Sequence, residues 1–201
     1  LKEKILKKAL ELYNANGVEY VGMRELAAAL GVKLGNITYY FPTKEDIIRG
    51  LSEQLSGLNT GIITDAPDLS VISFLTMLRK HCENQVQYKC LFISFVNLMK
   101  EYPSLSVKYK DIEKKRKGMT ANCVQRLIEN KYLKKDLSEN VGLMESLFLL
   151  IMRFWVSEAE ISLSALSDDK KIDHYLDMIA HILQPYATNK GLKEIELYLN
   201  G

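Results

Sequence analysis

The chain has 201 residues, 47% hydrophobic and 26% charged with only 4 prolines, a balance that suits a helix-rich globular protein and excludes a disordered or fibrous one. A formal net charge of +2 is too small to advertise a nucleic-acid partner, so any such surface must come from local patterning. The 3 cysteines, Cys82, Cys90 and Cys123, are odd in number and form no C-x-x-C pair, which argues against a disulfide framework or a cysteine-rich zinc site and points to a reducing cytoplasm.

Leu1 to Leu12 is interrupted by lysines and glutamates and is not the apolar core of a signal peptide. The chain does not begin with methionine, which leaves open a DNA-contacting arm before Leu1. Ile5, Ala9, Leu12 and Tyr13 form a helical stripe that stops at Asn16-Gly17, where glycine suits a left-handed residue after a helix. A second stripe, Met23, Leu26, Ala27 and Leu30, runs into Gly31, and a third, Leu34, Ile37 and Phe41, runs into Pro42. Thr43, followed by Glu45 and Asp46, has the pattern of an N-cap with acids in the first turn, so a fourth helix is expected over Lys44 to Leu58.

Asn59 to Ser70 mixes Gly, Thr, Asp and Pro like a loop. Periodic segments then cover Val71–Tyr88, Cys90–Glu101, Ser104–Asn130, Ser138–Leu163, Lys170–Tyr186 and a short Lys190–Leu199, with breaks at Pro103, Asp136 and the pair Asp168-Asp169. The greasiest stretch, Val141 to Val156, contains Glu145 and Arg153 and falls short of a membrane span. No strand alternation, repeat or low-complexity tract is visible, so the expected fold is all-α, divided into residues 1–50 and residues 51–201.

A DNA-reading helix-turn-helix needs a positioning helix, a tight turn with glycine, and a second helix that packs on one side and stays polar on the other. Met23 to Phe41 meets that description. On a wheel of about 100° per residue, Leu34, Ile37 and Phe41 share one side, while Gly35, Asn36, Tyr39 and Tyr40 face outward beside Lys33. From Leu26 through Lys44 there is no Asp or Glu, so the local field is positive although the whole chain is nearly neutral. Exposed paired tyrosines find hydroxyl partners in phosphates or base edges.

The run MRELAAALGVKLGNITYYFPTKEDIIRGL, residues 23–51, resembles the N-terminal signature of TetR/AcrR regulators: an L-A core, a G-V turn, G-x-I in the recognition helix, an aromatic-rich end, then F-x-x-K and a helix. The resemblance implies an all-α fold with a three-helix DNA-binding domain over 1–50 and a helical effector-binding and dimerisation domain over 51–201. It implies that Arg24 reaches base edges or phosphate, that Leu34, Gly35 and Asn36 face the groove, that Tyr39 and Tyr40 contact phosphate and groove, and that Lys44 holds a phosphate. Lys33 and Thr38 complete the candidate DNA-binding set. By base chemistry Arg24 pairs with guanine and Asn36 with adenine. Two positions depart from the pattern: Val21-Gly22 stand where the family has threonines before helix two, and Thr38 replaces a usual tyrosine.

The resemblance also implies a homodimer made by the last two long helices, and Ser138–Leu163 and Lys170–Tyr186 are amphipathic enough to build a four-helix bundle. For the small-molecule pocket that it implies, the adaptable candidates are Phe92, Phe95, Met99, Cys123, Met152 and Trp155, drawn from a set that includes Tyr88, Met119 and Phe148; each is equally a core residue type. Arg153 interrupts an apolar run and demands an acidic partner, either an effector or a place in the polar stripe Gly142, Ser146, Arg153, Ser157 and Glu160. His81, His174 and His181 show no metal-site spacing, and Lys108 to Lys117 reads as a solvated basic helix face.

The sequence therefore points to a cytoplasmic, ligand-responsive repressor that binds a double-stranded operator, without cofactor, metal or membrane partner. Nothing in it has the spacing of a catalytic triad, a phosphate loop or paired catalytic carboxylates, so an enzyme is not expected. Two other classes stand beside this reading: a helical protein-interaction module with a degenerate helix-turn-helix, and a ligand-binding enzyme domain.

Overall fold

The structure, a computed structural model, describes residues 1–62 and 68–201. In chain order it contains α1 (Lys2–Asn16), α2 (Met23–Leu30), α3 (Leu34–Thr38), α4 (Lys44–Asn59), α5 (Val71–Gln87), α6 (Lys89–Ile93), α7 (Phe95–Glu101), α8 (Pro103–Glu129), α9 (Val141–Ser162), α10 (Asp168–Leu183) and α11 (Asn189–Leu199). Among the described residues there is no strand, and Leu133 and Ala187 form an isolated antiparallel bridge. The fold is all-α. Residues 63–67, part of the loop expected over Asn59–Ser70, lie outside the described residues.

Two compact units emerge, Leu1–Thr60 with Asn84–Tyr109, and Gly61–Glu83 with Lys110–Gly201. The helices α5 and α8 contribute to both. In the first unit, α1 turns Ile5, Leu6, Ala9 and Tyr13 inward, against Leu26 and Ala27 of α2 and Ile47, Ile48, Leu51 and Leu55 of α4. Each such aliphatic side chain contributes on the order of 1.5–3 kcal/mol when fully buried. Thr43 caps α4 as its sequence foretells: the Asp46 N–H donates to Thr43 Oγ1 (3.3 Å) and the Thr43 N–H donates to Asp46 Oδ2 (2.9 Å).

Several boundaries differ from expectation for identifiable physical reasons. Gly17 takes φ 89° and ψ 145°, open to glycine but not the left-handed helical well, whereas Gly31 does sit there at φ 65° and ψ 30°. The segment expected as one helix over Cys90–Glu101 breaks at Ser94, whose buried hydroxyl donates to Glu19 Oε2 at 2.8 Å. Lys135–Asn140 forms a 3₁₀ turn ahead of α9 instead of its first turn. Asp168 and Asp169, expected as a break, open α10 behind the cap Ser167, where acids complement the helix dipole.

In the second unit, Phe74 of α5 meets Phe148 of α9 at 6.0 Å and Trp155 of α9 meets Tyr175 of α10 at 5.5 Å between ring centroids. The buried Lys171 ammonium donates to Glu160 at 2.7 Å, and Arg79 pairs with Asp173. The expected polar stripe on α9 is exposed at Gly142 and Ser146 and half-buried at Arg153, Ser157 and Glu160; Leu143, Leu147, Leu150 and Ile161 are exposed large apolar residues of the same helix, and Arg153 pairs with Glu113 of α8. Leucines at i, i+4 and i+7 share a helix face. Such an apolar line on a surface calls for a cover.

The start of α11 sits so close to the α8–α9 connection that a Cβ at Gly191 would lie 2.1 Å from the Tyr132 carbonyl oxygen. The Thr188 N–H donates to that same oxygen at 3.0 Å, which leaves the backbone no room to retreat. Gly191→Ala is therefore expected to lower unfolding free energy by about 2 kcal/mol in urea denaturation; a change below about 0.5 kcal/mol would show that the contact relaxes freely.

Burial, with the Arg116 guanidinium adding to it, pushes the His81 imidazole down to about 4. The folded chain thus refuses a proton that an unfolded histidine accepts, and stability falls as pH drops from the unfolded value near 6.5 toward 4. Glu19 and Asp46, both held below the ordinary carboxylate range, act only at the acid end of that window. Thermal midpoints at pH 7 and pH 5 should differ less in His81→Gln than in the parent; equal differences would mean that His81 carries none of the acid sensitivity.

Candidate nucleic-acid interface

The surface is built by a short helix anchored through two side chains. Gly31 ends α2 in a left-handed turn whose N–H donates to the Ala28 carbonyl at 3.0 Å, and Val32 N–H follows to Ala27 at 3.0 Å. Lys33 then stands as the N-cap of α3. Ile37 is wholly buried and Phe41 nearly so, and both belong to the first unit's core. With those two inward, the intervening residues turn to solvent.

The expected recognition helix of Leu34 to Phe41 is shorter in the structure, ending at Thr38, and Tyr39 and Tyr40 continue in a turn held by Tyr39 N–H to Gly35 O (3.1 Å) and Phe41 N–H to Ile37 O (2.9 Å). Tyr39 is 80% exposed and Tyr40 40%, their rings edge to face with centroids 5.0 Å apart. Arg24, Lys33, Gly35 and Asn36 are exposed as well. A Cβ at Gly35 would meet nothing within 4 Å, so that stretch of backbone is open to a close approach. Leu34, placed by the wheel on the packing side, is 37% exposed. As the first helical residue its Cα–Cβ bond tilts back toward the turn, which corrects the wheel's placement of Leu34 on the packing side.

Thr38 is half-buried and its hydroxyl donates to Gly35 O at 3.4 Å. Gly22, in place of a threonine cap, leaves half a capping box: its N–H donates to Glu25 Oε2 at 3.1 Å, and no side chain returns the bond. Lys44 points inward. Its Nζ donates to the Glu19 carbonyl at 3.4 Å and lies 5.9 Å from the Tyr13 ring centroid. Burial holds its ammonium below the ordinary lysine range against the opposing pull of Glu101, Glu19 and Glu25.

Two further groups stand near these residues without a sequence signal that separates them from ordinary surface. Tyr20, 84% exposed, lies two residues before the α2 cap, and Lys2 places its Nζ 5.8 Å from the Phe41 ring centroid. A tyrosine within a polar turn is the one cue for the former.

The residues proposed from sequence for a small-molecule pocket fall in different units. Phe92, buried, and Phe95 and Met99, half-buried, belong to the first, where Phe95 stacks edge to face on Tyr109 at 4.8 Å. Cys123 and Trp155, both buried, and half-buried Met152 belong to the second. Burial also pushes the Cys82 and Cys90 thiols up to about 12. Among the described residues no group of three or more His, Cys, Asp or Glu could hold a metal ion, and no helix is long and apolar enough to cross a membrane.

Residues 5–51 match the family described as bacterial regulatory proteins, tetR family, and residues 59–195 match the TetR family described as bacterial transcriptional repressor. No curated protein matches the chain. Among solved structures it is similar to a TetR-family transcriptional regulator from Marinobacter aquaeolei VT8, with a TM-score of 0.91 at 16% identity over 100% of this chain and 97% of that one. It is also similar to a gamma-butyrolactone receptor (ArpA-like protein), at a TM-score of 0.68 and 14% identity over 99% of this chain and 92% of that one. A third similarity is to the protein in a complex of SmeT with triclosan, at 0.67 and 13% over 94% and 92%. At these identities the likeness carries the fold alone.

Because Tyr39 is 80% exposed, with its ring edge to face with Tyr40, Tyr39→Ala should leave the unfolding free energy within about 0.5 kcal/mol of the parent while weakening duplex DNA binding across sequences. Filter or anisotropy titration beside a denaturation curve reads both. An unchanged affinity would remove this side chain from the interface.

Proposed function

This chain belongs to the tetR family of bacterial transcriptional regulators, which bind DNA, and we propose that it is a sequence-specific repressor released from its operator by a small-molecule effector. The observation that carries the reading is the solvent-facing set Arg24, Lys33, Leu34, Gly35, Asn36, Tyr39 and Tyr40, on a stretch from Leu26 through Lys44 free of Asp and Glu. Asn36 and Arg24 supply the paired donors and acceptors that read adenine and guanine edges, each contact worth roughly 1–3 kcal/mol of discrimination. Tyr39, Tyr40, Lys33 and Thr38 contact phosphate, which gives affinity and register without sequence. Lys44 joins them by leaving its inward position.

The division of labour in this reading is DNA reading over 1–50 and effector binding with dimerisation over 51–201, and the two matched segments, 5–51 and 59–195, support it. The exposed line Leu143, Leu147, Leu150 and Ile161 on α9, with exposed Met178 on α10, supports a homodimer through these two helices. A two-fold dimer presents two recognition helices to half-sites about 34–36 Å apart on one face of B-DNA. Cys123, Met152 and Trp155 of the second unit are residues we assign to effector contact, as are Phe92, Phe95 and Met99 of the first. The likeness to a gamma-butyrolactone receptor and to a triclosan complex supports an effector as such, without naming it.

Release is a matter of linkage. An effector that weakens operator binding a hundredfold must itself prefer the unbound conformation by about 3 kcal/mol, and the operator weakens effector binding by the same factor. Helix α4 is the mechanical link in this mechanism, since its tilt carries the recognition surface capped at Thr43.

Selection of bound duplexes from a random pool tests the reading. A palindromic site should emerge, with affinity that falls steeply as salt rises. Arg24→Ala should select the same site with relaxed preference at one base pair. No enriched duplex would sink the assignment, whereas an unchanged site for Arg24→Ala would remove only that residue from base reading. Mass spectrometry of small molecules retained by the purified chain then addresses the effector.

A further inference from the structure

The segment that leads from α1 into α2 is tied to both ends of α6 by two side chains whose chemistry leaves them little choice of partner. Asn14, near the end of α1, donates from Nδ2 to the Gln87 carbonyl at 2.9 Å and accepts at Oδ1 from the Cys90 N–H at 3.0 Å. Gln87 closes α5, and Cys90 is the second residue of α6. The last carbonyls of one helix and the first amides of the next have no partners within their own helices. One primary amide answers both across the Tyr88 break, and only one of its two flips does so.

Glu19 meets the other end. Its carboxylate accepts from Ser94 Oγ at 2.8 Å and from Asn97 Nδ2 at 3.4 Å, where α6 gives way to α7. Its own carbonyl accepts from Lys44 Nζ at 3.4 Å, which brings α4 into the same knot. Only residues 20–22 separate Glu19 from α2. Lys108 to Glu53 at 2.6 Å, and Ser104 to Glu45, add ties from α8 to α4. All of these groups lie within the first unit, and α5 and α8 are the helices by which the chain passes between the units.

We propose that Asn14 and Glu19 are positioning residues for operator reading: by fastening the α1–α2 segment to both ends of α6, they hold the recognition surface at a fixed tilt and so set the half-site spacing that a dimer accepts. Neither touches DNA. The proposal rests on the reading of the chain as a dimeric DNA-binding regulator. Such ties couple a displacement of α6 to a rotation of the α2–α3 pair, because the Asn14–Cys90 and Glu19–Ser94 hydrogen bonds are part-buried and losing them costs more than a small rotation of the unit that carries them.

The test uses the full chain and a pool of duplexes in which the half-sites selected for the parent are separated by variable spacers. The parent should enrich one spacing. Asn14→Ala and Glu19→Ala should enrich a spread of neighbouring spacings and bind the parent's preferred duplex about fivefold more weakly, while their preferences at each base within a half-site stay those of the parent. Glu19→Gln keeps an acceptor for the Ser94 hydroxyl and should restore the single spacing.

A role limited to stability would lower the thermal midpoint yet leave the spacing sharp in protein folded at the assay temperature. Sharp, parent-like spacing in both alanine variants, or equal broadening in Glu19→Gln and Glu19→Ala, would overturn the proposal. If Asn14→Ala does not fold, Asn14→Asp carries the same test, since it can accept from Cys90 N–H but not donate to the Gln87 carbonyl; broadening supports the proposal and a sharp parent spacing overturns it. Failure of the parent itself to enrich any duplex would instead overturn the DNA-binding reading.

Discussion

Burial of Ile37 and Phe41 is the contact on which the rest of this molecule's function depends. A five-residue helix has too few hydrogen bonds to hold itself in water, and nucleation alone is unfavourable. Its shape is therefore imposed by the pocket that α1, α2 and α4 make for those two side chains. Once they are inside, Asn36, Tyr39 and Tyr40 have only the outside left to them. The proposed reading surface is the remainder of a packing problem, which is why it can be polar and aromatic together.

Charge plays a local part here, not a global one. A net +2 over 201 residues says little, whereas the acid-free run from Leu26 through Lys44 concentrates Lys33 and the aromatic hydroxyls beside a backbone that Gly35 leaves bare. Lys44, which we propose as a phosphate contact, is partly engaged within the chain. A half-buried ammonium that donates to a carbonyl has already lost part of its hydration, so the remaining cost of moving it to a phosphate is set by its contacts with Glu19 and Tyr13. The reader's polar ties to α6 and α7 add direction to the nondirectional packing of its core.

The legible part of the fold was its periodicity. Stripes such as Ile5, Ala9 and Tyr13 locate helices because a 3.6-residue repeat is local, and Thr43 with Asp46 marks a helix start because a capping box spans four residues. What escaped was set by distant partners. Ser94 looks like any helical serine until Glu19 pulls its hydroxyl out of line, and Arg153 reads as a lone cation until α8 brings Glu113 beside it. Leu34 misled the wheel because a wheel knows only angle, not whether a neighbouring helix extends far enough to cover the first residue.

Sequence alone determined the class of fold through its short-range periodicity, and, through the resemblance carried by residues 23–51, the family and the nine residues expected to meet DNA. Tertiary structure decided which of them stand in solvent, that Lys44 turns inward, that α9 exposes leucines, and that Asn14 and Glu19 bind both ends of α6. Those outcomes depend on contacts between residues up to 76 positions apart, as between Asn14 and Cys90, and no local pattern encodes a partner at that distance.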